Sequence, residues 1–95
     1  MYLFDEEIRL TVGTGWQNLE VLSEVGVTYT FFGFAPAIIV SRDGARHILL
    51  VGAKSLAGPL KAIIDERGRL TGAVFRCRKM GTERSSAYEL ELIQQ

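Results

Sequence analysis

Residues 72–93, GAVFRCRKMGTERSSAYELELI, carry the pattern that most restricts how this chain can fold. Apolar Ala73, Phe75 and Cys77 alternate with Val74, Arg76 and Arg78; after a polar stretch around Gly81 the alternation resumes, with Tyr88, Leu90 and Leu92 set against Glu89 and Glu91. A period of two belongs to a strand with one buried face, so two strands are predicted, joined by a turn over residues 80–85. Register is tightly fixed, because a slip of one residue would drive arginines and glutamates into the core.

Other segments add strands to this hairpin. Over residues 7–12, Ile8, Leu10 and Val12 alternate with Glu7, Arg9 and Thr11, and Gly13 and Gly15 end the run. Residues 16–25 fit two readings: a short helix with Trp16, Leu19 and Leu22 on one side, or a strand through Leu-Glu-Val-Leu. Residues 27–34, Val-Thr-Tyr-Thr-Phe-Phe-Gly-Phe, are rich in β-branched and aromatic side chains and read as one strand. Val27, Tyr29 and Phe31 then share one face, while Thr28, Thr30, Phe32 and Phe34 share the other, which the threonines mark as outward. Pro36 and Asp43-Gly44 frame a short run over residues 38–40, and Asp-Gly predicts a hairpin returning into the next strand.

After Gly52 the period changes to that of a helix. Leu56, Leu60, Ile63 and Ile64 recur at helical spacing, Ser55 is placed to cap the start, and Gly68 stands where the helix ends. Pro59 belongs near a first turn, which predicts a helix over residues 55–67 or a later start with Gly58 as cap. The expected fold is mainly β: a small five-stranded barrel with one helix between strands 3 and 4, since closure removes exposed sheet edges.

Ninety-five residues make a single domain, residues 1–95, able to bury roughly 60–65% of its unfolded surface. With 47% hydrophobic and 23% charged residues, the composition is that of a globular chain. One cysteine, Cys77, and one histidine, His47, rule out an internal disulfide and a zinc site of ordinary ligand count. No metal or cofactor is expected. The amino end has no basic region followed by an apolar core, and no apolar run approaches the roughly 20 residues of a membrane helix. A free cysteine without an export signal points to a reducing, cytoplasmic setting. Formal net charge is zero, yet the chain is polarised. Asp5, Glu6, Glu7, Glu20 and Glu24 face only Arg9 over residues 1–24; Arg67, Arg69, Arg76, Arg78, Lys79 and Arg84 outnumber Glu83 over residues 67–84.

The phrases LSEVGVTYTFFGF, DGARHILLVGAKSLAGPLKAII and GRLTGAVFRCRKMGTERSSAYELELI, covering residues 22–93, resemble those of small phage-type single-stranded DNA-binding proteins with an OB fold. The resemblance implies a non-catalytic module acting in replication, recombination or repair, in the host cytoplasm if phage-encoded. The ending ELELIQQ departs from many such binders in not being a long acidic, partner-recruiting tail.

Single-strand binding needs aromatic platforms for bases and cations for the backbone. Phe32 and Phe34 are the stacking candidates, although a bulge at Gly33 would return either ring to the core. Trp16 fits two roles, stacking on a base or plugging one end of a barrel. Arg76 and Arg78 either hold phosphates or pair across the ladder with Glu89 and Glu91. Lys79 and Arg84 lie beyond those glutamates and are the better phosphate ligands. Lys54 opens the helix, where free N–H groups attract a phosphate. The surrounding VGAKSLAG is no P-loop, because Ala53 and Ile48 stand where glycines are required. His47 has no partners at catalytic spacing, Ser85 and Ser86 have no glycine elbow, and Cys77 faces inward, so an enzyme is not expected. The rival expectation is a protein-interaction barrel, a homodimer or adaptor, with the aromatic strand as its interface. A homo-oligomer is compatible with both.

Overall fold

The structure, a computed structural model, describes residues 8–31, 33–83 and 85–94. Among these the chain runs β1 (Ile8–Arg9), β2 (Gln17–Val21), β3 (Gly26–Thr30), β4 (Gly33–Arg42), β5 (Ala45–Leu50), α1 (Lys54–Arg67), β6 (Val74–Lys79) and β7 (Tyr88–Gln94). One sheet has the order β1-β5-β4-β2-β6-β7, and β3 also pairs with β4. β1 lies parallel to β5; the other pairings are antiparallel.

The chain is mainly β with a helix ahead of its last two strands, but the five-stranded closed barrel is not what forms. Seven strands make an open sheet. β1 pairs with β5 over only two residues and ends well before Gly13, whose carbonyl accepts the Lys79 N–H at 2.7 Å. The outward edge of β7 meets the helix instead of a strand: the Tyr88 N–H donates to Ser55 Oγ at 2.9 Å. Ser55 therefore ties α1 to the sheet and does not cap it; the cap position is Ala53, which makes no side-chain cap bond.

The count rises because residues 27–34 are not one strand. Thr30 pairs with Gly33, so the chain reverses between them. Gly33 has φ 107°, a conformation that side-chain-bearing residues rarely take, and the Thr30 hydroxyl donates to its carbonyl at 2.7 Å. Residues 16–25 resolve as β2 followed by an irregular break. β2 and β3 then share one edge of the ten-residue β4, Val21 pairing with Val40 and Gly26 with Ala37. Pro36 is tolerated within β4 because its carbonyl, and hence its N atom, faces the β5 side just past the last ladder pair, Ala37 with Leu50; the carbonyl accepts the Val51 N–H at 3.0 Å. The expected Asp-Gly hairpin is present, with φ 53° at Asp43 and 83° at Gly44.

The main core lies on one face of the sheet. Leu19, Val21, Ile38, Val40, Leu49, Phe75 and Cys77 pack against Leu60 and Ile63 of α1, with Leu10 and Val12 closing one side. A second, smaller layer of Ala37, Ile39 and Ile48 lies on the opposite face, flanked by Leu22 and Leu50. Thr28 pairs with Ala35 and so joins that layer; it is fully buried, its hydroxyl without a partner among the described residues. The radius of gyration, 12.4 Å, matches the roughly 12 Å of a compact chain this long, so the open sheet curls round its core. Pro59 falls at the sixth residue of α1, deeper than its N–H loss favours, and Gly68 ends the helix in the left-handed conformation, its N–H reaching the Ile64 carbonyl at 2.7 Å.

One carboxylate fixes the break between β2 and β3. Glu24 accepts hydrogen bonds from the Thr71 hydroxyl, from the Thr71 N–H at 2.7 Å and from the Leu70 N–H at 3.0 Å. Those donors, the Thr71 hydroxyl foremost, and the charge of Arg69 hold its pKa below the usual carboxylate range. The turn that feeds β6 is thereby bolted to the root of β3.

Candidate nucleic-acid interface

Strand parity places the basic side chains of β6 where the sequence predicts. Phe75 and Cys77 are fully buried, while Arg76 and Arg78 project from the outer face. Register then decides what they meet: Arg76 lies opposite Glu91, and Arg78 opposite Glu89. Arg76 donates from Nε and Nη2 to Glu91 Oε1 at 3.0 and 2.6 Å, and Arg78 Nε donates to Glu89 Oε1 at 2.8 Å. Both guanidinium groups also lie over the Trp16 ring, their central carbons 4.3 and 4.5 Å from its centroid. Trp16 thus does not plug the end of a barrel; it is half-buried on the outer face, since it directly precedes β2, whose Gln17 pairs with Cys77. The result is a ladder of alternating charge around one indole. Each ion pair is partly solvated and contributes about 0–1 kcal/mol, and each cation–π contact a similar amount.

The aromatic side chains are built into a different place. β3 and the first half of β4 form a two-stranded arm, and its sides are the reverse of those expected. Thr28 is buried; Val27, Tyr29 and Phe31 are exposed, Tyr29 by 54% and Phe31 by 93%. Phe34 is 67% exposed as expected, but it shares its face with Tyr29 and not with Thr28. The reversal between Thr30 and Gly33 is the cause, because a hairpin turn sets cross-strand partners on the same side whatever their parity in sequence. Tyr29 and Phe34 meet edge to face, ring centroids 5.4 Å apart. Phe34 and Arg42, which with Trp16 lines an outer cleft, are eight residues apart along β4, about 26 Å of extended chain. The arm and the ladder therefore occupy opposite ends of one strand.

Lys79 belongs to neither. It stands at the end of β6, its Nζ 5.9 Å from the centroid of the Tyr88 ring. Lys54 is exposed at the first residue of α1, away from the ladder in sequence and in element. Phe32 and Arg84 lie outside the described residues. The inward Cys77 is fully buried, which pushes its thiol pKa up to about 11 and removes the thiolate that reactivity requires. His47 is also buried, Nδ1 3.0 Å from the Ala45 carbonyl oxygen.

Sequence reasoning missed Tyr29, Phe31 and Arg9 as candidates. Reading residues 27–34 as one strand turns Tyr29 and Phe31 inward; the signal that identifies the turn is Gly33, two residues after Phe31. Arg9, alone among acidic residues in sequence, extends from β1 so that its Nη2 donates to the Tyr29 carbonyl at 2.7 Å. Among the described residues no group of three or more His, Cys, Asp or Glu side chains is placed to hold a metal, and no helix is long and apolar enough to cross a membrane. No protein-family model, no curated protein and no solved structure matches this chain.

Proposed function

We propose that the protein is a non-catalytic module that binds single-stranded DNA with little sequence preference, in the service of replication, recombination or repair. The observation that carries this reading is the arm: Tyr29, Phe31 and Phe34 display aromatic surface to solvent, 54, 93 and 67% exposed, at one hairpin. Bases stack on such rings at about 1–3 kcal/mol each, with no need to read their edges. The helix standing between β5 and β6, as in the OB-type order, and Lys79 at the end of the strand that follows support the same reading. So does the resemblance of residues 22–93 to phage-type single-strand binders.

A second reading, docking of a protein partner, is favoured by one feature of its own. The exposed face of the arm runs through Val25 and Pro36 into an apolar groove of about 280 Å³ floored by Val51, Leu60 and Ile64. Titrating the protein into a fluorescently labelled poly-thymidine oligonucleotide, with anisotropy as readout, separates the two. Binding that is strong at low salt, falls as salt rises and is much weaker to duplex supports the DNA reading. Absence of binding at micromolar protein, together with a stable dimer on gel filtration, supports the second.

A further inference from the structure

The open seam of the sheet holds a feature that neither the ladder nor the arm explains. Between the β1 side and the ends of β6 and β7 lies a cleft of about 260 Å³, walled by Arg9, Thr11, Leu49, Leu50, Lys79 and Tyr88. It exists because β1 ends early: only the bond from the Lys79 N–H to the Gly13 carbonyl crosses there among the described residues, and the gap beside it stays unfilled. Its chemistry contrasts with the ladder. Arg9, Lys79 and Tyr88 line it beside apolar residues, and among the described residues no carboxylate does. Among the described residues Arg9 uses one of its five N–H donors, on the Tyr29 carbonyl. The volume is just under the roughly 300 Å³ at which drug-sized pockets begin, the scale of a single nucleotide.

Position strengthens the point. The Arg9–Tyr29 bond ties one wall of the cleft to the aromatic arm, and Lys79 stands at the end of β6, the strand that carries Arg76 and Arg78 on its other face. The cleft thus adjoins elements of both regions. We propose that it is a subsite for one nucleotide of a single strand, the phosphate held between Arg9 and Lys79 and the base laid against Tyr88, joining arm and ladder into one track. This deepens, and rests on, the single-strand reading.

The test is a titration of the ¹⁵N-labelled full chain with thymidine 5′-monophosphate, and separately with inorganic phosphate and with thymidine, followed by amide chemical shifts. The expected result is saturable movement of the Arg9, Thr11, Lys79 and Tyr88 amides by the nucleotide, weaker for either fragment, with Arg9→Gln and Lys79→Gln each weakening it about tenfold. Lys79→Gln leaves the backbone bond to Gly13 in place, so it carries the test should Arg9→Gln disturb the fold. Shifts confined to the arm or the ladder, no shifts, or equal affinity for inorganic phosphate would overturn the assignment. The oligonucleotide titration keeps the two ideas apart. Tight poly-thymidine binding that both variants leave unchanged, in affinity and salt dependence, sinks the subsite and spares the single-strand reading. Saturation of the cleft by the mononucleotide without oligonucleotide binding does the reverse.

Discussion

The arm and the ladder contain the two kinds of side chain that hold a single strand, and they treat those side chains oppositely. On the arm, Tyr29, Phe31 and Phe34 spread their rings to solvent. In the ladder, Trp16 is covered by two guanidinium groups, and each of these is neutralised by a glutamate of the next strand. One region exposes ring surface, while the other covers its ring and neutralises its cations. A basic segment in a sequence is therefore not a basic surface until the cross-strand partners are known; Arg76 and Arg78 are arginines with their counter-ions attached.

Several measurements would break or sharpen that contrast. The largest effect is expected at the arm: Phe34→Ala and Tyr29→Ala should each weaken poly-thymidine binding by about 1–3 kcal/mol while changing folding stability by no more than about 0.5 kcal/mol. Loss of folding in either variant would show that the exposed rings support the structure, and the contrast with the ladder would fail. Next is the double substitution Glu89→Gln and Glu91→Gln. Freeing both arginines should tighten binding and steepen the salt dependence, by up to about 0.7 in log–log slope for each phosphate gained. An unchanged slope would mean that the ladder never meets the nucleic acid.

A smaller effect is expected at the joint between the two regions. Glu24→Gln removes the charge that holds the Leu70–Thr71 turn to the root of the arm, and because the carboxylate is largely exposed the cost is about 1 kcal/mol. The pH dependence has a definite sign. Glu24 has a native pKa below the ordinary 4.5, so its contribution is complete above that value and is lost as pH falls through the lowered native pKa. Wild type and Glu24→Gln should then differ in denaturation midpoint at neutral pH and converge in acid; a gap that persists at pH 2 would refute the charge as the cause. The smallest effect belongs to Arg76→Ala, expected to alter stability by less than about 1 kcal/mol because it breaks one solvated pair and one cation–π contact.

Alternation fixed the inward set of β6 and β7, the Asp-Gly pair the hairpin at residues 43–44 and Gly68 the end of α1, because each depends on near neighbours in the chain. Cys77 as an inert inward thiol was legible for the same reason. What sequence could not supply were the facts that depend on partners distant in the chain. The faces of the arm turned on whether residues 27–34 ran straight or reversed, a choice that Val-Thr-Tyr-Thr-Phe-Phe-Gly-Phe permits both ways and that pairing with residues 33–37 decided. Closure of the barrel turned on whether a strand or the helix reached the edge of β7, and the Ser55 hydroxyl took that place. Whether Arg76 and Arg78 were available turned on the register of two strands 11 and 15 residues apart at their paired positions. The sequence alone thus determined which side chains lie on a common strand face, since the two-residue repeat is local. Only the tertiary structure decided which of those faces is covered, neutralised or open, since that is set by whichever distant element packs or pairs there.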